Sequence, residues 1–252
     1  MDAATQSIIV VIAHPIAGNP TQLAVERALA AMELDWRVLS LDVRSEDVST
    51  AMQGFSVTGI AGVLIDASLR DAATNWYRET VDSESGPIDC LYRDKTGKFA
   101  GENQQRQWIS DLIGAATEEE SDSQPRIWFG ESLAESVVDT DQFPTEPAVA
   151  PLDGEIAENV KWIALSEAAN EPVELEVEEW PKNDGSIGVI DLSNNSFTEG
   201  HPDLGKIDDL GYRTVDFCER KIGTLQRCLK RWTGSEPSAE VLRDAIEEYL
   251  GV

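Results

Sequence analysis

The chain has 252 residues, 41% of them hydrophobic, with 20 basic side chains against 47 acidic ones and a formal net charge of −27. That length and apolar content can build one large domain or two small ones with an ample core. The charge excludes nucleic acid as a partner, because counterion release needs a basic face, and it fits a strongly solvated surface.

No segment approaches the ~18 apolar residues of a membrane helix, so no membrane partner is expected. The start, MDAATQSIIVVIAHP, carries no basic segment before its short apolar run and reads as a strand, not a signal peptide. Cys90, Cys218 and Cys228 form no CxxC and leave an odd count, the pattern of incidental thiols in a reducing compartment. A cytoplasmic location is the expectation.

SIIVVIA is a continuous β-branched run, as expected for a strand covered on both faces. GNPTQLAVERALAAME then opens a helix, with Asn19 able to cap, Pro20 at the first helical position, and Leu23, Ala28, Leu29 and Met32 on one stripe. WRVLSLDV is a second strand, and SEDVSTAMQGF a short helix from Ser45 with Glu46 and Asp47 favourable in its first turn. GIAGVLIDAS is a third strand, followed by the helix LRDAATNWYRE.

This βαβαβα order predicts a parallel sheet in an α/β domain. IDCLYRDKTGKFAGEN gives two extended runs around Asp94-Lys95-Thr96-Gly97, a hairpin signal. QRQWISDLIGAA is a helix, and the acidic stretch EEESDSQP, 118 to 125, marks a domain boundary. RIWFG starts a second α/β segment. TDQFPTEPAVAP reads as a loop in place of a helix, and VELEVEEW alternates like an edge strand. SIGVIDLS and GYRTVDF are strands. CERKIGTLQRCLKRW and SAEVLRDAIEEYL are the closing helices.

In order and spacing, several strings resemble the shikimate dehydrogenase family. AHPIAGNPTQ (Ala13 to Gln22) stands where that family has G-x-P-I-x-H-S-x-S-P after its first strand. GVLIDASLR (Gly62 to Arg70) stands for G-x-N-V-T-x-P-x-K, and GENQQ (Gly101 to Gln105) for G-x-N-T-D. The ending, with Trp232-Thr233-Gly234 between two helices, is similar to the family's W-T-G-x-x-P. The likeness covers residues 7 to 116 and 186 to 250 well and the middle poorly.

The resemblance implies an α/β protein of two lobes around a cleft. Residues 1–117 form a substrate-binding domain with helix 237–252 packed back on it, and 124–232 form a reduced Rossmann-like domain. In the family a lysine and an aspartate flank a carbinol that yields hydride to NADP. These positions fall at Arg70 and Gln105. A guanidinium keeps its proton and an amide does not titrate, so neither can act as a base. The family's substrate contacts fall at Asn19, Thr21, Asp89, Asn103 and Thr224, while its N-V-T triplet becomes Leu64, Ile65 and Asp66. Asp66, Arg70 and Asp89 form either a new charged group or a local salt bridge between Asp66 and Arg70.

On the cofactor side only Gly130 survives of a glycine-rich turn, and Glu131 after it would repel phosphate. The chain from Glu131 to Ile187 is short for the usual strands and crossovers. Pro151 to Gly185 holds ten acids against two lysines, a further repulsion for a dinucleotide. His14 lies at the C-terminal end of the first strand, where α/β proteins bind ligands, and reads either as a ligand contact or as a partly buried structural histidine. With His201 remote in sequence, no metal site is expected. Trp76, Trp108, Trp162 and Trp232 read mostly as core on helical stripes.

Three readings follow. The first is a protein without a cofactor that binds a small hydroxy-carboxylate, or regulates through it. The second is a working NADP-dependent shikimate- or quinate-type dehydrogenase. The third is a different enzyme, a dehydratase or isomerase, built on Asp66, Asp89 and Arg70. The sequence leaves the oligomeric state open, a homodimer included.

Overall fold

The structure, a computed structural model, describes residues 6–115, 126–130, 137, 138, 141, 143, 148, 152, 160–166, 175–192, 196, 197 and 200–251. It is α/β and forms two compact units, Met1–Gln104 with Ile222–Val252, and Gln105–Lys221. The divisions fall at the head of one helix and inside another, not at the acidic stretch 118–125, which lies outside the described residues.

In the first unit, strands β1 (Ile8–Ala13), β2 (Arg37–Asp42), β3 (Ile60–Ile65), β4 (Cys90–Arg93) and β5 (Phe99–Glu102) form a sheet of order β2-β1-β3-β4-β5. β1 runs parallel to both β2 and β3. The β4–β5 hairpin adds on antiparallel. β1 is buried on both faces, as its unbroken apolar run requires. Helices α1 (Thr21–Ala31), α2 (Val48–Ser56) and α3 (Arg70–Thr80) are the crossovers, and Val10, Ile12, Met52, Val63, Trp76 and Leu91 share one core.

Local chemistry sets the boundaries. α1 begins at Thr21 with Pro20 at the cap position, one residue later than expected, and Asn19 Oδ1 accepts the Thr21 N–H at 3.0 Å just ahead of it. The hairpin turn is closed by Asp94 Oδ1, which accepts N–H groups from Thr96 and Lys98, and by Gly97 at φ +81°. Ser45–Asp47 is a 3₁₀ turn that runs into α2.

The sequence strings that carry the resemblance meet in this unit. Helix α6 (Phe217–Thr233) lays Trp232 on Gly62 of β3, and the Trp232 indole N–H donates to Leu91 O at 2.9 Å. The last helix, α7 (Ala239–Leu250), packs on α1, where Arg27 Nη2 donates to both carboxylate oxygens of Glu248 at 3.0 and 3.1 Å.

The second unit contains α4 (Gln104–Ala115) from Gln105 onward, α5 (Leu204–Asp209) and a parallel sheet of order β6-β7-β8-β9. Its strands are β6 (Arg126–Phe129), β7 (Trp162–Leu165), β8 (Gly188–Asp191) and β9 (Arg213–Val215). Trp162 is fully buried but lies on a strand, not a helical stripe.

VELEVEEW is not an edge strand where described. Val177–Glu179 is a 3₁₀ turn after Glu176 at φ +46°, and the Trp180 indole donates back to Leu175 O at 2.9 Å. Leu175, Val177 and Trp180 point inward from this turn, which produces the alternation without a β-ladder. Most of TDQFPTEPAVAP lies outside the described residues.

Candidate functional site

The order β2-β1-β3 makes β1 the strand from which the chain winds both ways. Sheets of this kind bind ligands outside the carboxyl ends of the strands at that switch point. The candidate residues of the first unit gather there. Asn19 and Thr21 follow β1, Asp66 and Arg70 follow β3, and Asp89 precedes β4, with its carbonyl accepting the Ile65 N–H at 2.8 Å. Asn103 follows β5, whose Glu102 pairs with Cys90 at the same end.

Asp66 joins the two parallel strand ends. Its N–H donates to Ile12 O at 3.0 Å, and one carboxylate oxygen receives the Ser68 N–H and hydroxyl at 3.1 and 3.0 Å. The other accepts the Asn19 amide at 3.4 Å, across the switch point. Ser68 Oγ in turn accepts the His14 N–H at 3.2 Å. Thr21, Arg70, Asp89, Asn103, Gln105 and Thr224 are all buried. Among the described residues the buried Thr21 hydroxyl finds no hydrogen-bond partner.

Asp89 holds the head of α4, accepting the Gln104 N–H at 2.7 Å. Gln104 carries more of the site than sequence reasoning suggests. Its amide donates to Glu102 at 2.6 Å and its oxygen accepts from Arg227 Nε at 3.1 Å. Thr224 lies one turn before Arg227 on α6, which brings it to the same edge. The GENQQ string contained the signal, since Gln104 is its first helical residue. Gln105 is the next residue of α4 and belongs to the second unit.

His14 is not a partly buried structural histidine. Its side chain is 47% exposed, and Nδ1 lies 2.6 Å from Asp42 Oδ1, because the register pairs Ala13 with Asp42 and leaves the next residue free to turn outward. The Cys90 thiol is pushed well up by burial and by its hydrogen bond with Cys228, the behaviour of an inert core thiol.

In the second unit, Gly130 ends β6 at φ +131°, and a Cβ there would overlap the Ser166 hydroxyl and lie 2.9 Å from the Ser166 carbonyl oxygen. Close approach to β7 therefore accounts for this glycine. Glu131 lies outside the described residues. His201 is buried, and its Nδ1 accepts the Asp203 N–H at 3.3 Å. Its N–H donates to Asp191 at 3.0 Å. Burial lowers its pKa from the ordinary value. Among the described residues no group of three His, Cys, Asp or Glu side chains is placed to hold a metal ion. No described helix is long and apolar enough to cross a membrane.

The chain has the two-unit α/β fold of the shikimate dehydrogenases, the second unit being Rossmann-like. Shikimate 5-dehydrogenase from Thermus thermophilus, in complex with shikimate, aligns over 98% of this chain and 100% of its own, with TM-score 0.70 and 15% identity. The ligand-free 5-ketofructose reductase of a Gluconobacter species aligns over 97% and 99%, at 0.68 and 14%. Quinate dehydrogenase from Corynebacterium glutamicum, in complex with NAD, aligns over 98% and 99%, at 0.66 and 15%. No protein-family model and no curated protein sequence matches the chain.

Proposed function

We propose that this protein binds a small hydroxy-carboxylate at the carboxyl edge of its first unit and does not carry out NADP-dependent hydride transfer. The observation that carries this reading is the strand order β6-β7-β8-β9. A dinucleotide sits where a doubly wound sheet reverses, strand order 3-2-1-4-5-6, with the first strand flanked on both sides. Here, among the described residues, β6 is the terminal strand of the ladder, and on its outer side only Ala148 is seen to bond to it, its N–H donating to Trp128 O at 2.7 Å. The 32 residues between Phe129 and Trp162 are short for two further strands with three crossovers of about a dozen residues each.

The site's chemistry supports the same reading. Arg70 and Gln105 stand where hydride transfer needs a group that gives up and regains a proton, and neither side chain does so near neutral pH. Arg70, in the first unit, carries donors of the kind that bind a carboxylate or carbonyl oxygen. Asn19 and Thr21 add two more donors at the start of α1. The full-length alignment with dehydrogenases favours a second reading, an active NADP-dependent shikimate- or quinate-type enzyme.

Calorimetric titration with shikimate and with quinate separates the readings. Saturable binding near ~0.1–1 mM, lost in Asn19→Ala and in Thr21→Val, with no NADPH formed from NADP, is the expected result. Binding unchanged in both variants, or turnover of either acid, overturns the proposal.

A further inference from the structure

On the other flank of β1, away from β3, a pocket of about 510 Å³ opens at the carboxyl ends of β1 and β2. That volume lies within the range of small-molecule sites, roughly 300–1,000 Å³. Its polar wall is His14, Asp42, Arg44, Asp47 and Thr50, drawn from two strand ends, the connecting turn and the first turn of α2. Val43 and Ala51 supply an apolar surface. It lies wholly within the first unit and adjoins the switch-point cluster only through the backbone of His14, whose N–H donates to Ser68 Oγ at 3.2 Å.

The His14–Asp42 pair, 2.6 Å apart with both side chains about half exposed, organises the chemistry. An exposed pair contributes about 0–1 kcal/mol to stability, so the fold does not depend on it. Asp42 lies against Nδ1, and in the tautomer that carries its proton there Nε2 is a hydrogen-bond acceptor. Arg44 offers a planar fork of donors suited to a carboxylate. Asp47 is an acceptor, and Thr50 can donate or accept.

This mixture selects its ligand. A simple anion meets two carboxylates in the wall, and a simple cation meets a guanidinium. A molecule carrying one carboxylate and adjacent hydroxyls satisfies every group. We propose that the pocket is a second ligand site, for a small hydroxy acid. Arg44 holds the carboxylate, one hydroxyl donates to His14 Nε2, and Asp47 and Thr50 take a second hydroxyl.

The chain contains two histidines, so the imidazole nitrogens are readily followed by NMR. Glycerate is titrated to about 20 mM, a range that detects millimolar affinity, into wild type, Arg44→Gln and Asn19→Ala. The expected result is a saturable shift of His14 Nε2 with His201 unmoved. Arg44→Gln weakens the binding about tenfold, as one lost charge-assisted contact implies, and Asn19→Ala leaves it unchanged. A non-saturating drift, an unaltered response in Arg44→Gln, or loss of the response in Asn19→Ala would each overturn the proposal.

Discussion

Gly62→Ala tests how the C-terminal helix is fixed to the sheet that carries the candidate site. A Cβ on Gly62 would stand 2.7 Å from Trp232 Cδ1 and closer still to Nε1 and Cε2. An ordinary contact needs about 3.5–4.0 Å, so the indole must retreat by roughly 1 Å. That movement breaks the bond from Trp232 Nε1 to Leu91 O, costing about 0.5–1.5 kcal/mol. Overpacking adds about 1–3 kcal/mol, while replacing a strand glycine returns about 0.5–1 kcal/mol. The net loss is centred near about 2 kcal/mol, or a Tm lower by roughly 4–8 °C for a unit of this size.

Differential scanning calorimetry reads the shift directly. In the double variant Gly62→Ala/Trp232→Leu the added methyl meets a smaller side chain. Its loss should therefore fall short of the summed single losses by at least about 1 kcal/mol. A Gly62→Ala protein within about 0.5 kcal/mol of wild type, or strictly additive losses, would refute the packing argument.

Two further substitutions address single groups. Arg93 donates to the carbonyls of Phe55, Ser56, Thr58, Ile60 and Gly97, and its guanidinium lies 4.0 Å above the Phe99 ring. Arg93→Lys keeps the charge but has three donors and no fork, so it should cost about 2–4 kcal/mol in a urea melt; a neutral result would mean that water replaces those bonds. Because burial lowers the His201 pKa from the ordinary 6.5, the unfolded chain binds the proton more readily. The stability of wild type relative to His201→Gln should therefore be constant above pH ~6.5 and fall as the pH is lowered through it. A pH-independent difference would show that the ring is as easily protonated in the fold.

The first unit was legible because its signals are local. Unbroken apolar runs gave β1 and β3, Asn19 before Pro20 gave the helix start, and Asp94 to Gly97 gave the hairpin. The gathering of Asn19, Asp66, Asp89 and Asn103 at one sheet edge came from resemblance to a family, since no local pattern places residues so distant in sequence side by side. The roles of Gln104 and His14 were hidden for the same reason. Gln104 is set by a carboxylate fifteen positions earlier and by Arg227 on α6. His14 turns outward because of β1–β2 register. Alternation misled at Val177, where Leu175, Val177 and Trp180 are buried around a 3₁₀ turn whose glutamates are exposed, with no strand. The strand order of the second unit is likewise a long-range property, and it carries most of the functional conclusion.

Equilibrium titration of the purified protein with NADPH, followed by nicotinamide and tryptophan fluorescence, tests that conclusion most directly. A sheet with β6 as its terminal strand predicts no saturable binding up to about 1 mM, a free energy no better than about −4 kcal/mol. Saturation in the micromolar range would contradict the account and identify the second unit as a working dinucleotide site.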